Sequence, residues 1–313
     1  MNKDDSIFIA GHKGLVGSAI VRCLQQRGFN NLLTQTKGQL DLTDQTAVYD
    51  FFHSHRPKYI FLAAGRVGGI HANSTYPAEF IRDNLLIQTN VIDAAWRSDA
   101  KKLLFLGSSC IYPKSAPQPM EENCLLTGPL EPTNEWYAVA KIAGIKMCQA
   151  YSKQYGFNAI NVMPTNLYGP EDNFHLENAH ILPALMHRFH EAKVKHDSSV
   201  TVWGTGSPKR EFLHVDGLAD ACLFLMEKYE QDEVINVGIG KDLAISDLIA
   251  LIKEVVGYQG EVQYDHTKPD GTARKLLDVS QLHALGWRAK ISLKEGIKEV
   301  YSWFLTHMEE LKK

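Results

Sequence analysis

The sequence predicts an α/β protein: a doubly wound parallel sheet followed by a smaller α+β domain. In the first half of the chain, short apolar runs alternate with amphipathic stretches, which is typical of parallel strands joined by helices. A glycine-rich segment directly follows the first apolar run. The alternation is lost in the second half, so we place a boundary near Pro170, between domains of residues 1–170 and 171–313. At 313 residues the chain is long enough for about two domains.

Most elements of the first half are expected as buried strands and the helices between them. The predicted strands are 6–10, 31–36, 59–64, 102–106 and 159–163, and the predicted helices are 14–27, 77–97 and 134–155. Gly28 is expected to end the first helix because glycine is frequent just after helices.

The second half is predicted from caps and apolar stripes. It should hold helices at 181–193 and 216–228 and strands at 200–203 and 234–237. Ser246 is expected to cap a helix that ends at Gly257, and Ser292 and Glu295 form a capping box before the last helix. The segment 211–240 is expected to return to the first sheet, so the two domains would not be contiguous in sequence.

Composition and charge exclude several classes of protein. Hydrophobic residues make up 44% and charged residues 22% of the chain, which excludes disordered and fibrous proteins. The 33 lysines and arginines do not exceed the 36 acidic residues, which disfavours nucleic-acid binding. No apolar run has the length of a membrane span, and the amino terminus does not resemble a secretion signal. The five cysteines are odd in number and lack CxxC spacing, so we expect reduced thiols in a cytoplasmic protein.

The segment between the first strand and the first helix reads Gly11-His12-Lys13-Gly14-Leu15-Val16-Gly17. Three glycines at this spacing let the backbone turn tightly and approach a pyrophosphate at the helix amino terminus. The motif alone is weak, and a plain glycine-rich turn is the alternative. Its position between strand and helix favours a dinucleotide site in a Rossmann-type fold, with these seven residues at the cofactor.

The end of the second strand indicates which dinucleotide binds. Enzymes that use NAD usually hold the ribose with an acidic residue about 20 residues after the loop, and no carboxylate stands there in this chain. Lys37, together with Lys13, can neutralise a 2′-phosphate, so we favour NADP(H); two solvated lysines are the alternative. Asp41 and Leu42 follow, and this segment either meets the adenine or starts the next helix.

Three later segments lie just past the carboxyl ends of strands, where open parallel sheets bind ligands. Ser108 follows the fourth strand, Tyr137 and Lys141 are one helical turn apart, and Pro164 follows the fifth strand. A cation near a phenol lowers its pKa from about 10, and a hydroxyl can polarise the carbonyl oxygen that the phenol protonates. This combination favours hydride transfer to or from a ketone.

With these motifs the chain resembles the extended short-chain dehydrogenase/reductases, and among them the GDP-L-fucose synthase family, over almost its whole length. The motifs that carry the resemblance are LGSSCIYPK (106–114), LEPTNE (130–135), YAVAKIAG (137–144), PTNLYGP (164–170), DNFH (172–175), HILPAL (180–185), REFLHVD (210–216) and KPDGT (268–272). The resemblance implies a homodimeric enzyme that uses NADPH for 3,5-epimerisation and 4-reduction of GDP-4-keto-6-deoxy-D-mannose to GDP-L-fucose.

The resemblance also implies catalytic roles. Cys110 would take a proton from one face of the keto sugar and His180 would deliver one to the other, while Ser108 and Tyr137 stabilise the enolate oxygen. Lys141 would lower the pKa of Tyr137 and hold the nicotinamide ribose. Dehydratases of the group carry an acidic pair right after the hydroxyl residue. Ser109 and Cys110 occupy those places here, so the acid for sugar dehydration is missing.

The remaining assignments are binding residues. Cofactor contacts beyond the loop are expected from Leu106, Ser108, Tyr137, Lys141, Pro164, Asn166, Leu167 and His180. Substrate contacts are expected from Ser109, Cys110, Asn166, Arg188, Trp203, Arg210 and Asp270, although Trp203 fits a core position equally well. We predict no metal site, because the neighbouring His187 and His190 lack a third ligand.

Two alternatives stay open from the sequence. The first is a 5-epimerase/4-reductase of a GDP-4-keto-3,6-dideoxy sugar, of the GDP-colitose type, whose catalytic residues would look nearly the same. The second belongs to a different class, a non-catalytic regulator that senses NADP. Lys13 and Lys37 also stand where relatives commonly carry arginine, which keeps the charge but not the two-pronged geometry.

Overall fold

A computed structural model of the chain describes residues 1–176, 179–268 and 270–311; Pro269 of the KPDGT motif lies outside them. Its centre is a sheet of six parallel strands in the order β2-β1-β3-β4-β5-β10. These strands are β1 (Ile7–Ala10), β2 (Leu32–Leu33), β3 (Tyr59–Leu62), β4 (Lys102–Leu106), β5 (Ala159–Pro164) and β10 (Val234–Val237). The predicted parallel α/β sheet is confirmed, and β10 brings the segment 211–240 back to it.

Helices cover both faces of the sheet, which makes the fold doubly wound. One face is covered by α1 (Leu15–Gln26) and α7 (Val215–Lys228), and the other by α2 (Gln45–His55), α4 (Pro77–Arg97) and α5 (Glu135–Tyr155). Side chains alternate between the two cores, so that Ile7 and Ile9 of β1 face α1 while Phe8 faces α2. The burial of β1 on both faces explains its continuous apolar run.

Most predicted elements of this region are confirmed to within a few residues. The bounds of α4 and β4 agree with the prediction at both ends, while β2 is shorter. The helix α2 was not predicted with its own bounds. It begins because the Asp44 carboxylate accepts a hydrogen bond from the Ala47 N–H at 3.1 Å, so the segment after β2 does start a helix.

A third core lies in the second half of the chain. There α6 (Ile181–Lys195), α8 (Ile245–Val256) and α10 (Leu293–Leu311) pack around β7 (Ser199–Trp203) and β12 (Glu261–Asp265). Short pairs connect this part to the sheet: β6 (Asn166–Tyr168) with β9 (Phe212–His214), and β8 (Lys209–Arg210) between β11 (Leu243–Ala244) and β13 (Arg274–Lys275). Short helices also form at α3 (Ile70–Thr75) and α9 (Ser280–Ala284). A division into two domains near Pro170 stays a prediction.

One predicted cap is wrong and one is confirmed. Ser246 does not cap α8, because the helix begins one residue earlier and the Ser246 N–H donates to the Gly206 carbonyl oxygen at 2.9 Å. The box before α10 forms as predicted: the Glu295 carboxylate accepts from the Ser292 N–H at 3.3 Å, and the Ser292 hydroxyl accepts from the Glu295 N–H at 3.3 Å. Within the described ranges, no helix combines the length and the apolar character needed to cross a membrane.

Candidate active site

The glycine-rich loop lies where the strand order reverses. The sheet extends from β1 to β2 on one side and to β3 on the other, and open parallel sheets bind ligands at such a point. Gly11 follows β1 with a φ of +86°, and a Cβ there would lie 2.8 Å from the Ala64 backbone after β3. A Cβ on Gly17 would lie 2.1 Å from the Gly11 carbonyl oxygen. Both positions therefore require glycine.

The amino terminus of α1 is suited to an anion. Gly14 precedes the helix without a capping side chain, and the first turn, which begins with Leu15 and Val16, has no acidic residue. Its N–H groups are therefore left for a phosphate. His12 adds a buried Nδ1 that has no hydrogen-bond partner within the described residues, and the side chain of Lys13 beside it is exposed.

The residues after β2 differ in how far they are free to contact a ligand. Lys37 is exposed and forms no ion pair in the part of the chain that the structure describes. Asp41 accepts hydrogen bonds from the Thr43 N–H at 3.0 Å and hydroxyl at 2.8 Å, which hold the pKa of its carboxyl below the usual range. Leu42 packs against the core, and its carbonyl oxygen accepts a hydrogen bond from Asn90 at 3.0 Å. Lys37 is thus the one of these three whose side chain is both charged and exposed.

A short 3-10 turn after β4 brings three predicted residues together. Ser108 precedes the turn Ser109–Ile111, and its Oγ accepts a hydrogen bond from the Cys110 N–H at 3.4 Å. The same hydroxyl lies close enough to the Cys110 thiol and the Tyr137 phenol to counteract part of the rise in pKa that burial imposes on each of them. Ser109 and Cys110 are buried. A hydroxyl, a thiol and a phenol therefore meet at the carboxyl end of the sheet.

Tyr137 and Lys141 share one face of α5, as their spacing predicts. Lys141 Nζ lies 5.8 Å from the centre of the Tyr137 ring and donates to the Leu106 carbonyl oxygen at 2.8 Å. Burial lowers the pKa of Lys141 to about 8, and burial raises the pKa of the Tyr137 phenol. The phenol is therefore protonated at neutral pH and can serve as an acid. The expected lowering of its pKa by Lys141 stays a prediction.

The thiol of Cys110 faces cationic side chains. Burial raises its pKa, and the charge of Lys275 is the largest of the effects that oppose this rise. Lys275 lines the same small cavity as Cys110. Lys275 was not predicted from the sequence, because it stands in no motif and reaches the site only through the pairing of β13 with β8.

The segments after β5 and before α6 hold the remaining predicted residues at the carboxyl end of the sheet. Pro164 ends β5, Leu167 packs on the main core, and the Asn166 side-chain amide donates to the Glu211 carbonyl oxygen at 2.8 Å. His180 is the residue before α6, and its side chain is exposed. Enough protein surrounds the imidazole that desolvation lowers its pKa, and the charge of Lys275 adds to this effect. Lys275 thus acts on both predicted acid/base groups.

Three predicted substrate residues gather around the end of β7. Arg188 of α6 donates to the Thr201 carbonyl oxygen at 3.0 Å, and Trp203, the last residue of the strand, is 66% exposed. Its exposure contradicts the core alternative for Trp203. Asp270 lies next to it and accepts hydrogen bonds from the Thr205 N–H at 2.6 Å and hydroxyl at 2.8 Å. Asp270 therefore holds the turn after β7.

Arg210 lies on the small sheet next to the thiol, and its guanidinium reaches the segment of Asp270, since a Cβ on Gly271 would lie 3.8 Å from its Nη2. It is the register partner of Lys275, and burial lowers the pKa of its guanidinium. The next residue, Glu211, is fully buried: its carboxylate accepts hydrogen bonds from the N–H groups of Ile239 at 2.6 Å, Gly240 at 2.7 Å and Leu277 at 3.1 Å. Glu211 joins β8 to the ends of β10 and β13. Its position in the REFLHVD motif is the signal in the sequence that could have identified it.

No group of three histidine, cysteine or acidic side chains is arranged to hold a metal ion among the described residues.

The chain is similar to named proteins over its full length. Residues 7–238 match the NAD dependent epimerase/dehydratase family. GDP-L-fucose synthase 1 of Arabidopsis thaliana is 62% identical, covering 98% of this chain and 95% of that protein. GDP-L-fucose synthase of Escherichia coli (strain K12) is 54% identical, covering 98% of each. GDP-L-colitose synthase of Yersinia pseudotuberculosis is 36% identical, covering 96% of this chain and 97% of that protein.

Solved structures agree with this grouping. A GDP-6-OMe-4-keto-L-xylo-heptose reductase from C. jejuni superposes with a TM-score of 0.93 at 39% identity, covering 98% of this chain and 99% of that one. A GDP-L-fucose synthetase from Naegleria fowleri, solved with NADP bound, superposes with a TM-score of 0.92 at 27% identity, covering 100% and 98%. The chain therefore belongs to the NAD dependent epimerase/dehydratase family of extended short-chain dehydrogenase/reductases and groups there with the GDP-L-fucose synthases.

Proposed function

We propose that this chain is an NADPH-dependent enzyme that epimerises GDP-4-keto-6-deoxy-D-mannose at C3 and C5 and reduces it at C4, giving GDP-L-fucose. The observation that carries the proposal is the meeting of Ser108, Cys110 and Tyr137 at one edge of the sheet. A ketone held there by the hydroxyl and the phenol would have a thiol beside it. Reduction alone needs no thiol, whereas proton abstraction next to the ketone needs a base.

The residues at the switch point fit a phosphorylated dinucleotide. The tight Gly11 and Gly17 contacts and the uncapped start of α1 suit a pyrophosphate, and the buried Nδ1 of His12 lacks a partner among the described residues. Lys13 and Lys37 would hold the 2′-phosphate, and Lys141 the nicotinamide ribose. When bound, NADPH supplies the hydride that reduces the C4 ketone.

The side chains of the chain perform the proton transfers. Cys110, as the thiolate, would accept a proton from the carbon next to the ketone, and the C–H electron pair would become an enolate. Ser108 and Tyr137 would donate hydrogen bonds to the enolate oxygen. His180, as the imidazolium, would return a proton to the opposite face, which inverts the carbon.

Reduction uses the phenol as an acid. Because burial raises the pKa of Tyr137, the phenol holds its proton at neutral pH and can give it to the C4 oxygen. The ammonium of Lys141 would stabilise the phenolate that remains. The two stages thus share Ser108 and Tyr137 but differ in whether they need Cys110 and His180.

The nucleotide end of the substrate is assigned to the second half of the chain. The exposed indole of Trp203 offers a flat apolar face for guanine, and Asp270 shapes the turn next to it. Arg188 and Arg210 supply the positive charge that a diphosphate needs. Ser109 and Asn166, near the thiol and the end of β5, would contact the sugar.

The higher identity to GDP-L-fucose synthases, 54–62% against 36% for the colitose enzyme, supports the 6-deoxy over the 3,6-dideoxy sugar. The presence of the whole hydroxyl, thiol, phenol and lysine set argues against a non-catalytic regulator.

A homodimer and a cytoplasmic location are part of the proposal. The dimer is supported by α4 and α5, which lie side by side and expose Leu86, Trp136 and Val139. Five unpaired thiols support a reducing compartment.

One assay tests the proposed function. The purified chain is mixed with NADPH and GDP-4-keto-6-deoxy-D-mannose, the loss of NADPH absorbance is followed, and the product is identified by NMR. We expect GDP-L-fucose. Turnover only with the 3,6-dideoxy ketone would favour the colitose-type reaction, and binding of NADPH without turnover of either sugar would favour the regulator.

A further inference from the structure

The proposed epimerisation leaves one requirement unexplained. Cys110 must lose its proton to act as a base, yet the thiol is 6% exposed, and burial disfavours a charged thiolate. A buried thiolate needs a positive charge close by that is not already neutralised.

Lys275 is placed to supply that charge. It lines the same small cavity as Cys110, on β13. The other charged side chains of that cavity are Lys114, Glu131 and Arg274. Lys114 is paired with Glu131 at 3.1 Å, and Arg274 is paired with Asp242.

The backbone holds Lys275 in place from two sides. On one side, β13 pairs with β8 in a register that sets Lys275 beside Arg210. On the other side, the segment that follows the Cys110 turn pairs with the residues right after Lys275. The Met120 N–H donates to the Leu276 carbonyl oxygen at 2.8 Å, and the side-chain oxygen of Gln118 accepts from the Leu276 N–H at 2.8 Å.

We propose that Lys275 is a positioning residue whose positive charge keeps Cys110 competent as the proton-abstracting base. The proposal rests on the epimerisation proposed above. Burial lowers the pKa of Lys275, and the charge of Cys110 opposes this; Lys275 has no ion-pair partner within 4 Å among the described residues, so no carboxylate neutralises its ammonium when it is protonated.

The charges that face Lys275 come from several elements. Cys110 lies in the 3-10 turn, Arg210 on β8, Glu131 in the loop before α5, and His180 at the start of α6. Glu131 already has its own cation in Lys114. A second cation, Lys141 of α5, also faces Cys110, but it donates to the Leu106 carbonyl oxygen.

One charge would serve both halves of the proton transfer. Lys275 lowers the pKa of the Cys110 thiol and also that of the His180 imidazolium. The thiolate gains a proton from the sugar and the imidazolium gives one back, so the sugar's proton count is unchanged. The two side chains then return to their starting states by exchanging one proton through water. The rate of epimerisation should rise with pH as the thiol of Cys110 loses its proton and fall as the imidazolium of His180 loses its own. Both limbs of this pH profile should therefore depend on Lys275.

The test measures the thiol directly. Iodoacetamide alkylation of Cys110 in the full chain is followed by peptide mass spectrometry between about pH 6 and pH 10. In Lys275→Met we expect the pH at which alkylation of Cys110 is half-maximal to rise by about one unit. The rate of alkylation at neutral pH should then fall about tenfold. Lys275→Arg, which keeps the charge, should restore the native profile.

Lys209→Met is the matched control. It removes one positive charge from β8, the strand next to β13, but Lys209 is exposed. Because successive side chains of a strand point to opposite faces, Lys209 points away from the face of Arg210. We expect no shift. Lys275→Gln repeats the test if the methionine variant does not fold. An unshifted profile in a folded Lys275→Met or Lys275→Gln, or an equal shift in Lys209→Met, overturns the proposal.

A second readout separates this role from simple substrate binding. Solvent deuterium incorporation into the keto sugar is measured against pH, and in Lys275→Met both limbs should move to higher pH. A raised KM with both limbs unmoved would mean that Lys275 only binds substrate, which contradicts the proposal. If the native chain does not process the keto sugar, the proposed function fails, while the alkylation profile, measured without sugar, still reports on Lys275.

Discussion

A buried lysine ammonium lies at each end of β4, and the two have different surroundings. Lys102 is the first residue of the strand and is 3% exposed; Lys141, whose ammonium bonds the carbonyl of the last residue, is 5% exposed. Lys102 Nζ donates to the carbonyl oxygens of Met226 at 3.0 Å and Tyr229, and to the Glu230 carboxylate at 3.2 Å. Lys141 Nζ donates one hydrogen bond, to Leu106, within the described residues.

The difference lies in how fully each ammonium is satisfied. An ammonium has three donors, and those of Lys102 are used on the carbonyls that end α7 and on the Glu230 carboxylate. A cation at this end of the helix also interacts favourably with the helix dipole. Lys141 keeps donors for the phenol and, in the proposed function, for the cofactor ribose. Equal burial therefore means structural support at the amino end of the strand and chemistry at the carboxyl end.

The largest expected effect comes from the carboxyl end, in Tyr137→Phe. Loss of the proton donor should lower the rate of ketone reduction by about 10²- to 10⁴-fold. Cys110 and His180 remain and Ser108 still donates to the enolate oxygen, so solvent deuterium should still enter the sugar, although more slowly because one of the two donors is lost. The measurements are NADPH oxidation and deuterium incorporation by NMR. Tyr155→Phe, at the exposed end of the same helix, is the control and should leave both unchanged. If Tyr137→Phe also abolishes deuterium entry, the two stages are not separable as we propose.

The second prediction concerns the charge of Lys141. Because burial lowers its pKa to about 8, the ammonium loses its proton as the pH rises through that value. The rate of reduction should therefore be highest below about pH 8 and should fall about tenfold per unit well above it. Single-turnover oxidation of NADPH measured against pH checks this.

The variant Lys141→Arg tests whether the fall in rate at alkaline pH comes from Lys141 and not from another titrating group. A guanidinium keeps its proton throughout the range, so the alkaline fall should disappear even if the maximal rate is lower. A native rate that stays flat to about pH 10 would mean that the charge of Lys141 is not needed.

What could be predicted from the sequence is what local patterns determine, and what was missed depends on pairing between distant segments. The strands β1, β4 and β5 could be predicted because each is a continuously buried and mostly apolar run, and α4 could be predicted as a long segment that begins at Pro77. Ser108, Tyr137 and Lys141 were found because their chemistry is written in short motifs next to those strands. The strands β8 and β13 were missed, since each has two residues and exists only through pairing between distant segments.

The residues that were not predicted owe their roles to contacts between segments that are distant in sequence. Lys275 meets Cys110, and Glu211 meets Leu277, because the chain returns from far away in sequence. Lys102 was not distinguished from a solvated lysine either, since nothing local shows that α7 ends above it. Ser246 was misassigned as a cap because residues that suit a cap also occur in a first turn.

The smallest expected effect comes from the amino end of β4, in Lys102→Met. The methionine fills the space but leaves the last carbonyls of α7 without their donor, so the free energy of unfolding should fall by about 1–3 kcal/mol. The rate of reduction should stay native, because the change lies at the opposite end of the strand from Tyr137. Denaturant unfolding and the NADPH assay give the two values. Lys101→Met, the exposed neighbour, should change stability by less than about 0.5 kcal/mol. Equal stability changes in the two variants, or a large loss of activity in Lys102→Met, would remove the distinction between the two ends.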